Sequence, residues 1–206
     1  MKNLIKEQKK VWNTIAPEWN EFKKKSSKLS EKFLSKQSGK IIDIGAGSGR
    51  HLKKIKNGKM YLVDFSEKMI ELAKKNAEKK KIKAEFCVAD MTCLPYKDNF
   101  FDGGICISAL HCLKKEEHLK AIKEMFRVLK PNAELLVMVW NKNNKRFKRE
   151  KEKEKLIGWK NKGKRYYYLF EEKEIFQLFE SVGFKIIEKN NCESMIRFIS
   201  KKKIKN

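Results

Sequence analysis

The chain of 206 residues carries 50 Lys and Arg against 26 Asp and Glu, a formal net charge of +24, with 41% hydrophobic and 11% aromatic residues. That length suits one compact domain over 1–206, the aromatic content speaks against disorder, and no apolar run approaches the roughly 20 residues that a spanning helix needs, which excludes a protein that spans a membrane by helices. The cationic excess attracts phosphate-rich partners by counterion release, although only six of those cations are arginine, so part of it reads as a lysine habit.

The segment from Met1 to Glu7 is basic but has no apolar core and no small-residue cleavage site, which predicts a cytoplasmic address. Residues 4–37 read as two helices with Val11, Trp12, Ile15, Trp19 and Phe22 as anchors, so that 1–38 forms a helical lid on the domain. From residue 40 short apolar runs alternate with amphipathic stretches, the pattern of a parallel sheet with crossover helices. Seven strands are predicted, at 40–44, 60–63, 84–88, 101–108, 134–140, 185–189 and 195–200. A helix over Lys115–Lys130 presents Leu119, Ile122, Phe126 and Leu129 on one face and stops before Pro131; another over Glu172–Val182 stops at Gly183. Between them, 141–164 is a basic insertion, with Lys or Arg at 142, 145, 146, 148, 149, 151, 153, 155, 160, 162 and 164, predicted as a loop or solvated helix. Five cysteines, odd in number and without a C-x-x-C pair, fit neither a disulfide framework nor a zinc cage, and no metal site is predicted.

The most informative run is Ile41-Ile42-Asp43-Ile44-Gly45-Ala46-Gly47-Ser48-Gly49-Arg50, read as a strand, a glycine turn and then a helix. Glycine lets backbone turn sharply and approach a ligand. The spacing is G-x-G-x-G, not the G-x-G-x-x-G of dinucleotide sites, and Asp43 just ahead suits an amine-bearing ligand better than a diphosphate, which disfavours a nicotinamide dehydrogenase. Asp64 ends the second strand, where a carboxylate can accept both hydroxyls of a ribose; Asp90 ends the third, where it can accept from an adenine amino group that Met91 covers. Three acids at adjacent strand ends describe a nucleoside with a positively charged tail.

On these motifs the chain resembles the class I S-adenosylmethionine-dependent methyltransferases, which implies a Rossmann-like α/β fold with a seven-stranded, mostly parallel sheet and helices on both faces. The resemblance implies that Asp43, Gly45, Ala46, Gly47 and Gly49 border the methionine end of S-adenosylmethionine, Asp64 the ribose, and Asp90 with Met91 the adenine, with Phe65 and Ser108 as further cofactor-binding residues. Three further features, Trp12 to Asn20, Ser108-Ala109-Leu110-His111 and Arg165-Tyr166-Tyr167-Tyr168-Leu169-Phe170, resemble the tRNA wobble-uridine carboxymethyl methyltransferases, including the methyltransferase domain of the AlkB homologue eight proteins. That implies esterification of 5-carboxymethyluridine in tRNA and a small zinc-binding activator subunit as partner. His111 and Arg165 are the candidates for orienting the substrate acid, and Lys23 is the nearest counterpart of an arginine that this family carries after its N-terminal helix. Guanidinium and tyrosine side by side suit splayed RNA bases, while strand alternation sends Tyr167 to the face opposite Tyr166 and Tyr168. His51 and His118 read as solvated or packed helix residues, and Trp140 as a wall of the substrate mouth or a core residue. Two alternatives carry other expectations: a small-molecule methyltransferase acting on a quinone precursor or metabolite acid, and a non-catalytic RNA-binding subunit.

Overall fold

A computed structural model describes residues 2–147 and 149–204; Lys148 of the basic insertion lies outside them, as do Met1, Lys205 and Asn206. In chain order the elements are α1 (Lys2–Phe22), α2 (Lys28–Ser35), β1 (Ser38–Ile44), β2 (Lys56–Asp64), α3 (Glu67–Lys79), β3 (Ala84–Val88), β4 (Phe101–Ile107), α4 (Lys115–Val128), β5 (Leu129–Trp140), β6 (Glu154–Gly158), β7 (Lys164–Tyr168), α5 (Glu172–Val182), β8 (Phe184–Lys189) and β9 (Met195–Lys202). Seven strands form one sheet in the order β3-β2-β1-β4-β5-β9-β8. The first five run parallel, and β9 is antiparallel to both of its neighbours.

The central strands are apolar on both faces, as a sheet covered on both sides requires. Ile41, Leu62, Ile105 and Leu136 face Phe33 and Leu34 of α2 and Ala73 and Ala77 of α3. Ile42, Ile44, Leu135 and Val137 face α4 and α5. Helix ends follow local chemistry. Ser66 accepts from the Met69 N–H at 3.1 Å and starts α3; Glu171 and Glu174 form a reciprocal capping box on α5, and Gly183, at φ 114°, ends it.

Three expectations are corrected. The basic insertion is neither loop nor solvated helix throughout: 154–158 and 164–168 pair as an antiparallel hairpin, in which Leu156 and Ile157 stand opposite Tyr166 and Arg165 and the three tyrosines supply strand propensity. The glycine turn leads into no helix; 45–51 is a turn and 52–55 has no regular structure before β2, the connection being too short to hold a crossover helix. The fourth helix ends at Val128 and buries His118, Ala121, Ile122, Met125 and Val128, a face rotated from the predicted stripe, so that Leu119 is exposed and Leu129 opens β5.

The helix α1 crosses the carboxyl ends of the strands against α3 and β7. Asn13 fastens it to the start of α3, accepting from the Ser66 hydroxyl at 2.6 Å and from the Lys68 N–H at 3.2 Å. Gln8 fastens it to β7: its amide donates to the Lys164 carbonyl at 3.1 Å and accepts from the Tyr166 N–H at 2.8 Å. The hairpin tip holds the same helix through Glu18, which accepts from the Trp159 indole at 2.8 Å and pairs with Lys162 at 2.7 Å.

Candidate functional site

Three strands end side by side beneath α1. At the end of β1 the chain turns through Gly45 (φ 71°) and Gly47 (φ 54°), left-handed conformations that favour glycine. A Cβ on Gly45 would lie 2.2 Å from the Ala109 Cβ, so the turn closes only with glycine there. The Gly47 N–H donates to the Asp64 carboxylate at 2.8 Å, and the other oxygen of that carboxylate accepts from the Ser66 N–H at 2.9 Å. Asp64 thus braces the glycine turn from the end of β2.

The cleft between the strand ends and α1 is lined by Gly45, Ala46, Gly47, Asp64, Phe65, Asp90, Met91 and Ser108, eight of the residues predicted for the donor. Asp43 and Gly49 do not line it. Asp43 is buried beneath the turn with one carboxylate oxygen unpartnered. Burial pushes its pKa up to about 7, although the Arg50 charge pulls the other way. Burial also pushes Asp64 up to about 6, against the pull of its backbone donors. Asp90, at the end of β3, accepts from the Thr92 N–H at 2.8 Å.

The opposite wall comes from α1, which contributes Gln8, Trp12 and Trp19, and from Lys23 just beyond its end. Burial lowers the Lys23 pKa, and the charges of Arg50 and Arg165 lower it further. Arg165 is buried without lining the cleft; it stands behind Trp12 and Trp19, its guanidinium 5.9, 5.1, 4.9 and 5.2 Å from the ring centres of Trp12, Trp19, Trp159 and Tyr167. It donates to the Tyr167 hydroxyl at 2.7 Å, its Nε has no hydrogen-bond partner, and it forms no ion pair among the described residues. Strand alternation places Tyr167 against this cluster, while Tyr166 and Tyr168 enter the main core.

His111 is buried outside the cleft lining. Its Nδ1 accepts from the Trp140 N–H at 3.0 Å, its ring lies against Trp140 and Tyr167, and burial pushes its pKa down to about 3, so it is neutral. Trp140 stacks on Tyr167 with centroids 4.3 Å apart and does not line the cleft. His118 is packed in α4, in contact with the Leu113 carbonyl at 3.0 Å. His51 departs from the sequence reading: it lies in the glycine turn rather than a helix, lines the cleft while only 4% exposed, and has no partner on either ring nitrogen. Trp12, Trp19 and Arg50 also line the cleft without having been assigned to it. Only the aromatic content of α1 signalled the first two; nothing local signalled His51.

The donor set fits a cationic nucleoside. Two carboxylates stand at the rim for hydroxyl and amine donors, a third keeps one oxygen unpartnered beneath the turn, and no helix N-terminus follows the glycines to hold a diphosphate.

Comparison with known proteins accords with this geometry. Residues 35–174 match a family model described as a methyltransferase domain. A Mus musculus protein named "Probable tRNA methyltransferase 9B" is 32% identical over 154 residues, covering 72% of this chain and 32% of its own length. An Arabidopsis thaliana "tRNA (carboxymethyluridine(34)-5-O)-methyltransferase" is 33% identical over 134 residues, covering 64% of this chain and 32% of its own. The chain therefore spans about a third of the length of these relatives. Among solved structures, a SAM-dependent methyltransferase from Methanosarcina mazei superposes with a TM-score of 0.74 at 24% identity, covering 88% of this chain and 100% of its own. The methyltransferase in complex with the Haloferax volcanii Trm112 methyltransferase activator superposes with a TM-score of 0.76 at 15% identity, over 97% of this chain and 98% of its own. At these identities both likenesses speak to the fold.

Proposed function

The chain belongs to the methyltransferase-domain family, and from that premise we propose that it takes its methyl group from S-adenosylmethionine and methylates tRNA, esterifying the carboxymethyl group of a wobble uridine. The observation that carries this reading is the cluster of Lys23, Arg50 and Arg165 beside the donor cleft, in which Lys23 and Arg165 form no ion pair among the described residues. Cations held without a carboxylate of their own suit a carboxylate brought by the substrate. The kinship with the Arabidopsis relative supports the same acceptor.

The chemistry asks little proton transfer of the protein. A carboxyl group with a pKa near 4 is ionised at neutral pH, so its oxygen attacks without a general base. The donor supplies an activated methyl on a sulfonium, and the positive charge is discharged as the new O–C bond forms and the S–C bond breaks. Asp64 and Asp90 bind the nucleoside of the donor and set its angle. Lys23, at the cleft, orients the incoming carboxylate, and Arg165 adds charge from behind the tryptophan wall while pinning Tyr167. His111 acts as a positioning residue, holding the end of β5 through the Trp140 N–H. Alignment of this kind is worth up to about 7–11 kcal/mol when near-attack geometry is good. The helix α1, sealed to β7, excludes water from the donor and serves as the lid. We further propose a small zinc-binding activator as partner, supported by the fold likeness to the chain that was solved with Trm112. Among the described residues both outer strands of the sheet, β3 and β8, are unpaired on one side, and they carry exposed Val88 and Ile187, respectively.

The test is methyl transfer from labelled donor to tRNA bearing or lacking the carboxymethyl group, with the activator present. Label that appears only on the carboxymethyl tRNA, and is released by mild base as an ester would be, is the expected result. Equal labelling of both tRNAs, or of neither, overturns the reading, and turnover that survives nuclease treatment assigns a small acceptor in its place.

A further inference from the structure

Beside Trp19 and Lys23 of the cleft lining, the last residue of α1, Phe22, is 62% exposed, an unusual position for a large apolar ring beside a packed aromatic cluster. Its ring centre lies 5.3 Å from that of Trp159 on the hairpin and 5.9 Å from that of Trp19, which itself lines the cleft. The Lys23 ammonium stands 4.9 Å from the Phe22 ring centre. Lys24 and Lys25 follow in the chain, and Lys160 and Lys162 stand across from them at the hairpin tip; against these five cations the local acids are Glu18 and Glu21, which are paired with Lys160, Lys162 and Lys24. The surface is thus an aromatic ring backed by two tryptophans, carrying a net positive charge around it and adjoining the cleft-lining Trp19.

We propose that Phe22, supported by Trp159 and Trp19, is a stacking shelf for an unpaired RNA base next to the nucleotide that is methylated. The inference rests on the RNA reading given above and adds a contact that it does not require. Every base offers a π-face, and stacking on an exposed aromatic ring within a cationic groove is how single strands are held without regard to sequence. The two elements that build the shelf are those that close the cleft, so occupancy of the shelf by a flanking base brings the target base to the cleft mouth beside Lys23. A protein partner would meet the same patch through apolar area, but the lysines around it leave a phosphate backbone as the better complement.

The experiment compares the full-length wild type with the Phe22→Ala and Phe22→Tyr variants in binding an anticodon stem-loop RNA, either intact or doubly abasic, with the base removed on both sides of the wobble position. Phe22→Ala is expected to weaken binding of the intact loop by roughly five-fold to a hundred-fold. It is expected to leave the doubly abasic loop and S-adenosylmethionine binding unchanged, and Phe22→Tyr is expected to restore affinity for the intact loop. Equal affinity of the Phe22→Ala variant and the wild type for the intact loop overturns the shelf, as does an equal loss on intact and abasic loops. A loss of affinity for the activator subunit, with RNA binding unchanged, assigns the patch to protein and also overturns it. Failure of the wild type itself to bind any loop removes the RNA reading, an outcome distinct from the variant results because it appears before any substitution.

Discussion

Asp64 has two tasks, bracing the glycine turn through Gly47 and Ser66 and facing the cleft where the donor's hydroxyls would lie. Because burial raises its pKa to about 6, a donor that requires the ionised form should bind more weakly as pH falls through that value, by about tenfold per unit below it. Titration calorimetry at pH 5 and pH 8 checks this, and equal affinity at both would contradict it. Asp64→Asn, which offers one acceptor where two are used, is expected to weaken donor binding by about ten- to a hundredfold. The buried groups also set the pH dependence of stability. Asp43 and Asp64, with raised pKa values, contribute stability that is present below an unfolded value of about 4 and is lost as pH rises through about 6–7. His51, His111 and His118, held down to about 3, 3 and 4, contribute stability that is present above about 6.5 and is lost as pH falls. Near pH 5 the unfolded chain therefore binds three more protons on histidine and two fewer on aspartate, so stability should rise between pH 5 and 6 by about 1 kcal/mol. Asp43→Asn should steepen that rise towards two protons, measured by urea unfolding at the two pH values; a flatter slope in the variant would refute the burial argument. At this scale the glycines, Asp64 and Asp90 were legible because a strand end followed by turn glycines has few uses, whereas His51 was not, since the cleft it lines is completed by segments distant along the chain, α1 among them.

The hairpin and the first helix work as one element at the cleft. Gln8 behaves as a strand segment, satisfying one carbonyl and one N–H on the outer edge of β7. Gln8→Ala leaves both groups without that partner, at a cost of about 1–3 kcal/mol, and should speed hydrogen exchange in α1 and β7 while the central strands stay protected. Uniform exchange across the molecule would show instead that α1 is not a separable lid. The alternation in 164–168 was legible as far as the opposed faces of its tyrosines, but the pairing of 154–158 with 164–168 was not, because the charge density of 141–164 outweighs the weak strand signal of Leu156 and Ile157. The rotated face of α4 has a similar cause. A packed histidine at 118 takes a place on the buried side that an apolar count assigns elsewhere.

For the whole molecule the charge of +24 is the dominant long-range property. If the cationic α1 end and hairpin tip meet RNA phosphates, log affinity for tRNA should fall with log salt at a slope of about −0.7 to −0.9 per contact, so that four contacts give roughly −3 to −4. A slope near zero would leave the net charge without a role in substrate binding. Seven strands, their parallel core and the acids at three strand ends follow from short apolar runs and local turn chemistry, which act over a few residues and are therefore written in the sequence. The buried arginine among three tryptophans, the unpartnered histidine in the cleft and the aromatic shelf at its mouth join residues from α1, the glycine turn and the hairpin, about 140 positions apart in the chain. Only the closure of α1 over the sheet brings them within reach, because contacts between distant segments are selected by packing of the whole fold and leave no periodic trace along the chain.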